Sequence, residues 1–174
     1  GCYFKINVVL CFKTKYITLY ILMLSMFNFF SNSEKKLLKY GWRKDKADIR
    51  DKTHTYKPPF GLHYVKKYDL LKFCPDVYEQ GKLGSCTANA IAAAYEFDEI
   101  KQKEDNIFSP SRLFIYYNER SMEDTVDSDS GAEIRDGIKS INVKGVCSES
   151  QWPYNISKFT DKPPEQCYKD AVKH

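Results

Sequence analysis

Hydrophobic and polar positions fall into a helical rhythm only in the second half of the chain. After Cys86, the residues Ala88, Ile91, Ala92 and Tyr95 recur at i, i+3, i+4 and i+7, which predicts an alanine-rich amphipathic helix running to about Lys103. Ser109 as N-cap and Pro110 at the first helical position predict a second helix with Leu113, Phe114 and Tyr117 on one face. From Ala132, the spacing of Ile134, Ile138 and Ile141 predicts a third, stopped by Gly145, and Pro163-Pro164 opens a last one from Glu165. No run of alternating residues argues for strands, so the expectation is helix throughout.

Upstream the rhythm is lost. Residues 32 to 75 are polar and broken by Lys57-Pro58-Pro59 and Gly61, which reads as an extended N-terminal arm. Before it, Tyr16 to Phe30 is an apolar stretch of 15 residues behind Lys5, Lys13 and Lys15, shorter than the ~20 residues of a membrane span. Three readings of it stay open: a secretory signal, a membrane anchor, or untranslated sequence with Met26 as the true start. Localisation stays open with them, secretory, lysosomal or membrane-associated if the segment is genuine.

Composition narrows the class. A chain of 174 residues with 43% hydrophobic and 29% charged content is long enough for one globular domain, and a net charge of +4 spread among acids argues against nucleic-acid binding. None of the six cysteines forms a C-x-x-C pair or a zinc spacing with histidine, so no metal or cofactor is expected, and their number leaves disulfide pairing undetermined. Seven acids lie between Glu119 and Asp136, but counting from Asp127 puts Gly131 at position 5 and Ile138 at position 12, which fails the EF-hand pattern and leaves a solvated acidic loop. Asn155-Ile156-Ser157 fits a glycosylation sequon, meaningful only in a secreted chain.

The chemistry concentrates in Glu79-Gln80-Gly81-Lys82-Leu83-Gly84-Ser85-Cys86-Thr87-Ala88. A glycine-rich turn delivers a cysteine to the first turn of a long helix, where unpaired N–H groups and the helix dipole favour the thiolate. Gln80, six residues earlier, is placed to aim an amide N–H at the same point as the Cys86 backbone N–H, which together would form an oxyanion hole.

This stretch resembles the active-site segment of papain-like cysteine peptidases. The likeness continues through Tyr40 to Asp45 and Asp48 to Asp51, similar to the pro-segment of a subgroup found in microbes and giant viruses. It runs on through Tyr68-Asp69-Leu70, Ser109 to Tyr117, Asp129 to Ala132 and Gly145 to Tyr154. The resemblance implies an α+β papain-like fold: an apolar segment at 1–31, a pro-segment at 32–67 and the mainly helical left lobe at 68–174, with the β-rich right lobe absent. It implies a cysteine-type endopeptidase working through an acyl-enzyme on a peptide or protein substrate, monomeric when complete. Cys86 and Gln80 would be its catalytic residues, with Gly131 and Ala132 hydrogen-bonding an extended substrate at the cleft edge. Leu83 and Ser130 stand where the family carries a disulfide, so that bridge is missing on both sides, and Thr87 replaces the usual aromatic after the nucleophile.

The family's histidine and asparagine lie ~130–150 residues beyond the cysteine, whereas 88 residues follow Cys86 here. His174 comes too early, and His54 and His63 lie upstream of the mature domain. The expectation is a fragment inactive by itself. Its rival is a non-catalytic, peptide- or protein-binding remnant of the lobe; a redox thiol protein is disfavoured because no resolving cysteine lies near Cys86.

Overall fold

An 11-residue helix, α2 (Arg112–Met122), forms the axis of the fold because nearly every side it presents is covered: Leu113, Phe114, Ile115, Tyr116, Asn118, Glu119 and Arg120 are all buried. The computed structural model describes residues 40–52 and 69–173, all within the unit Leu37–His174, the second of two units into which the chain divides. The apolar stretch Tyr16 to Phe30, the Lys57-Pro58-Pro59 break and the three histidines lie outside the described residues. Two helices flank the axis. On one side, α1 (Cys86–Gln102) buries Ala88, Ile91, Ala92, Ala94 and Phe97, and it ends at Lys103, whose left-handed backbone returns its N–H to Glu99 and Ile100. On the other, α3 (Ile134–Lys144) ends at Gly145, whose positive φ of 70° lets its N–H close on Ile141 at 2.8 Å. The helices α1, α2 and α3 meet at Gly137, where a Cβ would stand 2.4 Å from Ile91 and 2.6 Å from Glu119. A short last helix, α4 (Glu165–Ala171), buries Cys167 and Ala171.

Three expectations change. The second helix is capped by Ser111, whose hydroxyl accepts from Phe114 N–H at 3.1 Å, rather than by Ser109. Pro110 stays outside the helix because it forms an antiparallel bridge with Ser148, reinforced by Ser111 N–H on Cys147 O at 2.8 Å and Glu149 N–H on Ser109 O at 2.7 Å. Tyr117 is only half-buried, since the core surrounds the helix rather than following one stripe. Nor is the chain helical throughout: Trp42–Arg43 (β1) and Ala132–Glu133 (β2) pair as parallel strands in the register Trp42 to Ala132 and Arg43 to Glu133. Two-residue strands leave no periodicity to read. Among the described residues no helix is long and apolar enough to cross a membrane.

Candidate active site

The turn before α1 is held from both sides by residues distant in sequence. Gly84 N–H donates to Asp129 Oδ1 at 2.9 Å, an oxygen that also accepts from Tyr116 Oη at 2.5 Å. Behind the turn, Tyr154 Oη donates its single proton to Gln80 O at 3.0 Å, so the Ser85 hydroxyl, 2.5 Å away, donates to Tyr154. Asn89 Nδ2 closes the set on Ser85 O at 2.8 Å and Ser85 Oγ at 3.1 Å. The Arg112 guanidinium lies over the rings of Tyr154 and Tyr78, 4.2 and 4.7 Å from their centroids, and donates to Glu79 O at 3.3 Å.

Cys86 is the first residue of α1 and half-buried. Burial raises its pKa and the Glu119 charge adds to that, outweighing the nearby backbone of Gly41, Trp42 and Thr87, which lowers it. The thiol therefore sits above its ordinary value, the reverse of what its place at a helix N-terminus predicts. The physical reason is burial of the sulfur, which disfavours the charged thiolate. Gln80 Nε2 donates to Leu83 O at 2.7 Å, inside the same turn.

Gly131 and Ala132 lie at the same place and are both buried. Ala132 N–H donates to Gly41 O at 2.9 Å, and Gly131 N–H to Tyr116 Oη at 3.2 Å. Three glycines make this approach possible: a Cβ on Gly41 would stand 1.8 Å from Gly84 O, and one on Gly131, at φ +71°, 1.7 Å from Gly41 O. The segment is anchored further along by charge. Arg43 pairs with the buried carboxylate of Glu123, which also accepts from Glu133 N–H at 2.8 Å. Arg135 donates its backbone N–H to Asp45 at 2.8 Å and both guanidinium ends to Asp51, at 2.9 and 2.8 Å. That hydrogen bonding holds the Asp51 carboxyl below the usual carboxylate range, and Arg50 does the same for Asp48. Sequence reasoning read 40–52 as part of an arm and missed that it crosses the cleft; the complementary charges of Arg43, Asp45 and Asp51 against Glu123 and Arg135 were the available signal.

The loop read as solvated is only partly so. Arg120, fully buried, lies 4.1 Å over the Tyr116 ring and donates to the carbonyls of Tyr116, Val126, Ser128 and Phe159, which sets the loop leading to Asp129 and Gly131. Glu119 is also fully buried: Oε1 accepts from Thr87 Oγ1 at 2.6 Å, while Oε2 has no hydrogen-bond partner. Burial pushes its pKa up to about 8 against the pull of Thr87, Arg120 and Arg43. Thr87, the residue after Cys86, thus ties the start of α1 to α2 through the Glu119 carboxyl. Among the described residues no cluster of three or more His, Cys, Asp or Glu side chains is placed to hold a metal.

No family model matches the sequence. The chain is 47% identical to an uncharacterized peptidase C1-like protein of Acanthamoeba polyphaga mimivirus, over 76% of this chain and 48% of that protein. It superposes on xylellain, a cysteine protease from Xylella fastidiosa, with a TM-score of 0.64 and 41% identity, covering 83% of this chain and 59% of that one. The chain thus spans about half the length of the curated relative it matches. With a helix-rich lobe, few strands and these two relatives, the chain belongs to the papain-like, C1-type family of cysteine peptidases.

Proposed function

We propose that Cys86 is the nucleophile of a cysteine-type endopeptidase and that residues 40–52 form a pro-segment that keeps it latent. One observation carries this reading: Gly41 is wedged between Gly84 and Gly131 with its O accepting from Ala132 N–H, so a peptide main chain already lies over the turn that presents the nucleophile. A substrate would take the place of that segment and pair its own main chain with Gly131 and Ala132. The Cys86 thiolate then attacks the scissile carbonyl carbon, and the resulting oxyanion is held by the Cys86 N–H and by the Gln80 amide as it turns from Leu83 O. The C–N bond breaks as the leaving amine takes a proton from an imidazole. Water hydrolyses the thioester, releasing the acid and restoring the thiol. The described residues hold no histidine, so that imidazole comes from residues outside them.

The test is hydrolysis of fluorogenic casein by the longest product of the reading frame after removal of residues 1–67, beside its Cys86→Ala variant and the 174-residue chain. Activity in the first only supports the reading. A first product that binds peptides without cleaving them would favour the rival, a binding remnant of the lobe.

A further inference from the structure

Two buried thiols, Cys147 and Cys167, take no part in the cleft. Gly145 backs directly onto α4, since a Cβ there would stand 1.8 Å from Ala171 O. From that contact the chain runs on without helix through Val146 and Cys147 into the bridge between Ser148 and Pro110. Two extended residues advance about 6.6 Å, and four helical residues from Ala171 back to Cys167 advance about 6 Å. Ala171 and Cys167 also share one buried face of α4, as i and i+4 positions do. The register set by Gly145 on Ala171 therefore carries Cys147 towards Cys167, whose thiol donates to Gln151 O at 3.9 Å, and the two sulfurs are near enough to interact electrostatically. Each is fixed from its own side: Cys147 O accepts from Ser111 N–H at 2.8 Å, and Cys167 N–H donates to Pro164 O at 2.9 Å.

We infer that Cys147 and Cys167 are a disulfide site, closed by a thiol–disulfide oxidant such as glutathione disulfide, which staples α4 and the 147–167 loop to the start of α2. Closure proceeds through a mixed disulfide: the two thiols lose two protons and two electrons, one S–S bond forms in the protein, and the oxidant's S–S bond is reduced to two thiols. Burial and the neighbouring Cys167 sulfur hold the Cys147 thiol well above its ordinary range, so the docked pair reacts slowly and the bond closes while α4 is undocked. The stapled loop carries Tyr154, whose hydroxyl bonds Gln80 and Ser85, so the bridge would also secure the turn that presents Cys86.

The experiment refolds the full chain in a reduced–oxidised glutathione buffer and, in parallel, in excess dithiothreitol. Free thiols are blocked with N-ethylmaleimide and unreduced peptides mapped by mass spectrometry. The expected oxidised product links Cys147 to Cys167 with Cys74 and Cys86 alkylated, and melts about 10 °C above the reduced chain. Cys147→Ala and Cys167→Ala should each erase that redox-dependent difference, while Cys74→Ala keeps it. Alkylation of both residues after oxidative refolding, or linkage to another cysteine, would overturn the assignment without using any variant. A mapped bond with no change in melting would overturn the stapling role.

Discussion

The helical core and the rim of the cleft are built on different physics. In the core, Ala88, Ile91, Leu113, Phe114 and Ile115 meet through apolar contact, which has no preferred direction and is set by periodic spacing along each helix. At the rim, placement depends on directional pairs between residues far apart in sequence: Gly84 with Asp129, Ser85 with Tyr154, Arg43 with Glu123, and Arg135 with Asp45. The core supplies most of the stability and the rim supplies position. Damage to the core should therefore appear first as unfolding, and damage to the rim as altered behaviour of Cys86 in a chain that stays folded.

The largest effect is expected from Leu113→Ala. Leu113 is fully buried in the first turn of α2, and removing its side chain leaves a cavity among helices that cannot all close in. Urea unfolding should show a loss of about 3–4 kcal/mol. A loss below about 1 kcal/mol would break the comparison by showing that α2 is not the axis on which stability rests.

Glu119 lies where the two regions meet, and Glu119→Gln should act on both. Its folded pKa of about 8 lies above the ~4.3 of an unfolded glutamate. The folded state therefore holds a proton that unfolding releases. This contribution is complete below about pH 4 and is lost as pH rises through about 8. At about 1.4 kcal/mol per unit, the wild type should lose a few kcal/mol relative to the glutamine variant between pH 5 and 8, read from urea midpoints of both across that range. Because the Glu119 charge raises the Cys86 pKa, the variant's pH profile for alkylation by iodoacetamide should also shift downward. An unshifted profile would confine Glu119 to the core.

Gly41→Ala tests the rim alone. The added methyl cannot fit against Gly84 O and Gly131, so residues 40–43 should leave the cleft while the helices stay in place. Alkylation of Cys86 is expected to rise on the order of 10-fold, with stability changed by less than about 1 kcal/mol. An unchanged alkylation rate would mean that the segment does not cover the sulfur.

The same division explains what could be read from the sequence. The span of α1, the stop at Gly145 and the start of α4 follow from local periodicity and from glycine and proline chemistry, and the family followed from the residues around Cys86. The cap at Ser111 was misplaced because Pro110 answers to Ser148, 38 positions away, which no local pattern reports. The crossing of the cleft by residues 40–52 was invisible for the same reason: Gly41 looks like any loop glycine until Gly84 and Gly131 are brought against it. Glu119 and Arg120 read as members of an acidic, solvated stretch, yet each is buried with partners drawn from other elements.

The smallest effect, and the finest test of the contrast, is Tyr154→Phe. The ring that lies under Arg112 is kept, and only the hydroxyl that joins Ser85 to Gln80 is lost. Ser85 retains Asn89, so the cost falls mainly on the Gln80 carbonyl and should be about 1 kcal/mol in urea unfolding. The consequence for position should be larger than that figure suggests, because the same oxygen fixes the backbone on which the Gln80 amide rides. Hydrogen exchange should quicken at the amides of residues 80–85 while those of α2 stay protected. Equal acceleration in both would mean that the rim and the core open together, and that the hydroxyl stabilises the fold as a whole rather than the geometry around Cys86.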